Sequence, residues 1–450
     1  MAAHLAGRLI LRSFFVWSCI LTTACFLAAA EEQTGENAET TQTSEATENS
    51  ESLAPDAENS DCATEQCEET EGLDCEIPLC GPPGQFWVRS DWIMWWTNGM
   101  ALPPLIVAGP PGTPADEISV VYGDQNVLNS SRSGVRLTIG GWIDPEHRWG
   151  IEADWLTIGG KSNQFERSTT TSTQVGRPLY DLEHNTLSYE LADFVRVNSS
   201  DYFSSTGAWL RYNLYCCNSC CVSWNACDNG CSSEEGCNAS GDPREQFYNR
   251  VDLIAGYRYY VLGDSLSIHE TLTTPDTNPP RYLPPSTFFS ITDSFRTRNE
   301  FNGSEIGLAT ELHRGRWGMN ILAKMALGNT HQTAHIEGFT QQDQTEFANG
   351  IYATRSNMLG SPYTRDQFTV IPQLTVEMSY QLTRRLRCYT GYNIIYWSSV
   401  WRSGDQVDLF IDPRNWGQIP DPNSLPLPTF PGRNSSFWAQ GLNVGLELRF

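Results

Sequence analysis

After Ala30 the 450-residue chain has no window of about 18 consecutive apolar residues, which excludes membrane-spanning helices. Its most apolar loop piece, 101–109, is broken by Pro103 and Pro104. Residues 31–80 contain no Lys or Arg, against 16 Asp and Glu, and too few apolar residues for a core. The net charge of −24 is therefore local: setting aside those 16 acids and the two Arg of residues 1–30 leaves −10 over residues 81–450. Nothing in the chain reads as a nucleophile elbow, and the cysteines form no two-by-two CxxC array.

What is present begins with an export signal. Arg8 and Arg12 precede the apolar run 13–27, and Ala28, Ala29 and Ala30 offer a cleavage site. Cys25 leaves a lipoprotein anchor as the minor alternative. The expected organisation is a signal peptide at 1–30, a disordered acidic tail at 31–84 and a folded unit at 85–450. An exported chain meets an oxidising compartment, so disulfides are the default for Cys62, Cys67, Cys75 and Cys80 in the tail. The same holds for Cys216, Cys217, Cys220, Cys221, Cys227, Cys231 and Cys237, which crowd one loop expected outside the cell. Their number is odd, so one thiol is free, pairs at a distance or joins two molecules; Cys388 stands alone. A metal site in that loop is the weaker reading.

The carboxyl terminus carries the clearest pattern. Trp438, Gln440, Leu442, Val444, Leu446, Leu448 and Phe450 share one face of a strand, while Asn443, Glu447 and Arg449 lie on the other. An apolar face free of charge suits a lipid-facing wall, where Arg or Lys at midplane costs about 2–4 kcal/mol. Twelve segments read as strands: 85–97, 133–143, 149–159, 186–197, 203–217, 248–260, 265–274, 300–313, 317–329, 366–381, 386–401 and 436–450. Short connections (144–148, 198–202, 261–264, 314–316, 382–385) alternate with long ones. The fold class expected is all-β: an antiparallel transmembrane β-barrel of about twelve strands, with short periplasmic turns and long extracellular loops. Aromatic residues near strand ends (Trp92, Trp95, Trp96, Trp149, Trp155, Tyr257, Tyr259, Tyr260, Tyr396, Trp397, Trp401) predict two interfacial girdles. Pro372 on an outward face and Asp193 in the fourth segment fit this pattern poorly.

Parity places eight acids (Asp91, Glu152, Asp154, Asp252, Glu305, Glu311, Glu377, Glu447) and eight bases (Arg89, Arg136, Arg211, Arg250, Arg258, Lys324, Arg387, Arg449) inside. Among them Arg136, Glu152, Asp252, Arg258, Glu311, Lys324 and Glu377 are the expected pore-lining residues, setting the permeability of a channel for small hydrophilic solutes. The competing expectation is that these charges pair across the interior and close it. His331 and His335 have zincin spacing, but Gln332 replaces the catalytic Glu, so no metal site and no catalytic residue is expected.

The stretches IDPEHRWGIEADWL, VDLIAGYRYY, FNGSEIGLATELHRGRWGMNILAKMALGNTHQ, SYQLTRRLRCYTGYNIIYWSSVWRSGDQVDLFIDP and FWAQGLNVGLELRF resemble putative beta-barrel porin family seven, known from planctomycete bacteria. The resemblance covers most of 85–450 and implies an outer-membrane porin with no cofactor and no enzymatic activity. The expected partners are outer-membrane lipid and the barrel-assembly machinery, reached through the strand ending in Phe450, with no nucleic acid. The expected location is the bacterial outer membrane with the tail periplasmic. Rival readings are a non-conducting structural or surface-interaction barrel with disulfide-stapled external loops, an outer-membrane hydrolase and a soluble β-sandwich.

Overall fold

The computed structural model describes residues 81, 84–218, 247–274, 285–416 and 421–450. Ten strands follow one another around a closed antiparallel barrel. They are β1 (Phe86–Thr97), β2 (Arg132–Trp142), β3 (Trp149–Ser168), β4 (Phe194–Asn218) and β5 (Phe247–Thr273) in the first half. The second half is β6 (Phe288–Arg314), β7 (Trp317–Gln342), β8 (Tyr363–Gln381), β9 (Leu386–Val400) and β10 (Ser435–Arg449). The ring closes where β1 pairs with β10, Val88 opposite Leu448 and Trp92 opposite Val444. At this seam Phe450 O accepts from Gln85 N (3.0 Å) and Phe86 N (2.9 Å), and the Phe86 and Phe450 rings lie 6.3 Å apart. Closure pairs the first strand with the last, so neither is left as a free edge of the sheet, as a lipid environment demands.

Ten strands replace the expected twelve because two presumed turns are continuous strand. Asn198–Tyr202 lies inside β4 and Val261–Asp264 inside β5, where Ser199 pairs with Leu266 and Asp201 with Asp264. Both pieces are polar or break the apolar alternation, which imitates a turn. Asp193 is the corner between strand Thr186–Ala192 and β4, its N–H donating to Thr271 O at 2.8 Å. Pro372, which has no N–H to give, sits where β8 and β9 part: their ladder starts at Gln373 opposite Ile395.

β4 ends and β5 begins at the rim that carries the tight turns 143–148, 315–316 and 382–385, so the chain leaves and re-enters there around 219–246. The loop was expected outside; its residues 219–246 lie outside the described residues. Cys216 at the end of β4 is disulfide-bonded. Cys217 contributes its backbone to β4, and Cys62, Cys67, Cys75, Cys80, Cys220, Cys221, Cys227, Cys231 and Cys237 lie outside the described residues, as do the signal and most of the tail.

The wall is uneven in height. β4 to β7 have 25, 27, 27 and 26 residues, whereas β1, β2, β9 and β10 have 12, 11, 15 and 15. A tilted strand crosses a bilayer in about 9–11 residues, so the long strands rise well beyond it. Their outward faces change character at one level. On β7 the sequence outward is Trp317, Met319, Ile321, Ala323, Met325 and Leu327, then Asn329, His331, Thr333, His335 and Glu337. On β6 it is Leu312, Thr310, Leu308 and Ile306, then Ser304, Asn302, Glu300, Arg298 and Arg296. His331 and His335 therefore lie on a strand outside the band rather than in a loop, and His331 Nδ1 is 3.0 Å from Asp366.

Above that level the half-cylinder of β4–β7 is filled by the connections. A five-stranded sheet of Ile106–Gly109, Ser119–Tyr122, Gln174–Asp181, Thr186–Ala192 and Phe410–Ile411 packs inside it. Val195, Val197, Leu266, Ile268, Phe295 and Ile336 from the wall meet Leu105, Ile106, Val175, Leu179, Ile351 and Tyr352 in one apolar core. This extramembrane part is called the crown below.

Candidate functional site: the barrel interior

Alternation along each strand turns the charged residues inward, and all sixteen predicted for the lumen face the interior. Of the seven expected to line a pore, Arg136, Glu152, Asp252, Arg258, Glu311, Lys324 and Glu377 are all buried. They are also paired. Arg258 Nη1 lies 2.6 Å from Asp154 and Nη2 3.0 Å from Glu305, which also takes Lys324 Nζ at 3.2 Å. Arg211 joins Glu152 (3.0 Å), Asp252 (2.7 Å) and Glu311 (3.6 Å). Arg136 holds Asp91 at 2.7 Å and reaches Glu377 at 3.5 Å, on the far side of β1, β10 and β9. Arg89 binds the same Glu377 at 2.6 Å, and Asn443 Nδ2 donates to it at 3.0 Å. Arg387 and Arg449 share Glu447, and Arg250 holds Asp252 at 2.8 Å. These charges have largely left water, and the pairs, with further bonds such as Arg89 Nε to the Tyr389 hydroxyl (3.2 Å) and Arg250 Nη2 to His147 O (2.7 Å), offset that desolvation.

Aromatic residues fill the next level. Phe203 on β4 and Phe437 on β10 approach to 5.1 Å between ring centres, although β1, β2 and β3 separate their strands along the wall. Tyr260 lies 6.0 Å from Trp397, which meets Phe301 edge-on at 6.3 Å. The Tyr260 hydroxyl donates to Gln373 at 3.3 Å, and Trp397 Nε1 to Thr330 at 3.1 Å. Trp95, Tyr260, Trp397 and Trp401, expected in an interfacial girdle, are thus interior residues; Trp149, Trp155, Tyr257 and Tyr396 are exposed outward as expected. Parity within each strand separates the two sets.

At the base of the crown Trp401 and Arg402, just after β9, turn inward. Buried Arg402 pairs with Asp264 of β5, and Arg132 Nη1 lies 2.5 Å from Asp201 of β4. Asn299 Oδ1 accepts from Trp401 N at 2.7 Å and its Nδ2 donates to Trp401 O at 2.8 Å. Burial raises the Asp264 carboxyl to about 6, with Arg402 pulling the other way. Sequence reading missed this latch because Asp201 and Asp264 stood in presumed turns. A signal existed: both share the inward parity of their strands.

No curated protein matches the chain. Among solved structures it is similar to the outer membrane protease OmpT from Escherichia coli, at 10% identity over 81% of this chain and 97% of that chain, with a TM-score of 0.36. It is also similar to a FadL homologue of Pseudomonas aeruginosa (9%, 81% and 90%, TM-score 0.21) and to the toluene transporter TodX of P. putida (10%, 82% and 91%, TM-score 0.15). Likenesses this distant carry no argument about chemistry. Residues 87–450 match the family described as Putative beta barrel porin-7, and the chain belongs to that family of outer-membrane barrels.

Proposed function

We propose that the barrel is closed at rest and serves as a structural, crown-bearing element of the outer membrane. The single observation that carries this reading is the meeting of Phe203 with Phe437 from facing walls, stacked on a layer of mutually paired charges. Opening a path for hydrated solutes would require separating those rings and exposing buried ion pairs, each broken pair leaving a charge without compensation. Passive diffusion of small hydrophilic solutes is the second reading, favoured by the porin description of the family. In it Arg136, Glu152, Asp252, Arg258, Glu311, Lys324 and Glu377 would set permeability after the aromatic layer moves aside. Unitary conductance in planar lipid bilayers separates the two. The closed reading expects inserted protein without steps, and Phe203→Ala with Phe437→Ala to create them; ohmic steps from the unaltered protein would establish diffusion instead.

The rim of tight turns faces the periplasm in this reading, which places both the acidic tail and the 219–246 connection there. A membrane-impermeant maleimide applied to intact cells should label Glu346→Cys, near the tip of β7, and spare a cysteine introduced at Arg384. The reverse pattern would invert the orientation.

A further inference from the structure

The crown contains a group of charges that the closed lumen does not use. Arg177 of strand Gln174–Asp181, Glu270 of β5 and Asp293 of β6 are all 0% exposed, within the apolar core. Arg177 Nη2 lies 2.6 Å from Asp293 Oδ2, and its guanidinium sits 4.0 Å over the Tyr352 ring. The nearest Glu270 oxygen is 3.7 Å from Arg177 Nη1, too far for a hydrogen bond, and neither Glu270 oxygen has a hydrogen-bond partner. Glu190, opposite Arg177 on the neighbouring strand, adds a third carboxyl. Its buried Oε1 is also unpartnered, and the residue lines a cavity of about 20 Å³ with Leu272, Phe289, Ile291 and Trp416, room for one water molecule.

Asp293 is compensated by Arg177 and by the Ala353 N–H, 2.8 Å from its Oδ1, which leaves Glu270 in the apolar core and the half-buried Glu190 beside the cavity with carboxylate oxygens that lack hydrogen bonds. Neutralising a buried carboxylate by a proton costs far less than keeping it ionised there. We infer that Glu190 and Glu270, beside the Arg177–Asp293 pair, form a proton-binding site that fastens the inner sheet of the crown to β5 and β6. When the site holds its protons the crown docks tightly; when they leave, mutual repulsion loosens it.

The surrounding groups are consistent with that role. Burial raises the Glu190 carboxyl to about 8, with the nearby Glu270 charge adding, and raises Glu270 to about 7 against the pull of Arg177. The Tyr352 hydroxyl donates to Pro178 O at 2.6 Å, and burial pushes its ionisation up, so it stays neutral. Other charges of the packed elements are engaged elsewhere. Asp181 holds His184, Arg414 holds Asp412, Arg196 holds Glu166 on the outer surface, and His269 contacts Thr292. The sign follows from linkage. Both glutamates bind protons more tightly in the docked crown than at their ordinary value of 4.5, so docking is strongest below that value and weakens as pH rises through about 7 and about 8.

Hydrogen exchange of the whole protein in detergent micelles tests this, whether or not the barrel conducts. Protection of amides in 174–192 is followed from pH 5 to 9, referenced at each pH to amides of 319–327 in the membrane band. Protection should fall by up to roughly tenfold per pH unit for each proton released. Glu270→Gln should flatten the profile, and Glu190→Gln should remove its alkaline part. If Glu270→Gln does not fold, the unaltered protein and Glu190→Gln carry the test. A flat profile in the unaltered protein, or an unchanged slope in Glu190→Gln, overturns the proposal. So does recovery of protection at pH 9 on adding sodium or calcium chloride, which would assign the site to a metal cation.

Discussion

The membrane band and the crown use the same strands with opposite chemistry. Along β6, the band puts Leu312, Leu308 and Ile306 outside and Glu311 and Glu305 inside, while the crown puts Arg298, Arg296 and Ser294 outside and Phe295 and Ile291 inside. The alternation never slips; only the solvent on each side changes. In lipid the outer face must be apolar and the interior alone can hold charge, whereas in water the interior again becomes the cheapest place for apolar surface. A strand of 27 residues can therefore serve two environments, provided that the inversion falls at the same height on its neighbours.

The largest effect is expected inside the band. Arg258→Met leaves Asp154 and Glu305 buried, with Lys324 alone remaining to compensate Glu305, and should cost about 3–5 kcal/mol in reversible urea unfolding from lipid vesicles. A loss below 1 kcal/mol would mean that water reaches this layer. In the crown, Phe295→Ala removes a wall residue that is 1% exposed and should cost about 3–5 kcal/mol of crown stability. Its effect should appear as faster proteolysis of the crown connections while the band remains folded, which a whole-barrel melt would contradict.

The outward face allows the sharpest test, because the same substitution can be placed on one strand at two heights. Met325→Arg should cost about 2–4 kcal/mol on insertion into vesicles. Thr333→Arg, two turns of the pleat above the boundary, should stay within about 0.5 kcal/mol. Equal costs at the two positions would move the boundary and dissolve the distinction between the halves.

Much of the band was legible because lipid enforces a simple rule. Parity alone turned Arg136, Glu377 and Lys324 inward and Leu442 and Met378 outward, and Phe450 marked the closing strand. The crown was not legible in the same way. Its filling comes from Leu105, Ile351 and Tyr352 in connections without period, which nothing local assigns to a core. The polar outer face of the upper strands also resembles turn sequence, so β4 and β5 each read as two strands with a turn between. The buried group around Arg177 shows what signal remains: Glu270 and Asp293 alternate with Ile268, Leu272, Ile291 and Phe295 on one face, and a charge repeated on an apolar face needs a partner.

The parting of β8 from β9 at Gln373, and of β2 from β3 at Gly134, has a mechanical meaning. Below these points every strand is gripped on both flanks, and the hoop resists ovalisation as a barrel stave does. Above them the wall is a curved flap rooted along a single arc, stiffened by what it encloses. The hoop therefore draws its stiffness from closure, and the flap draws its own from the filling packed inside it.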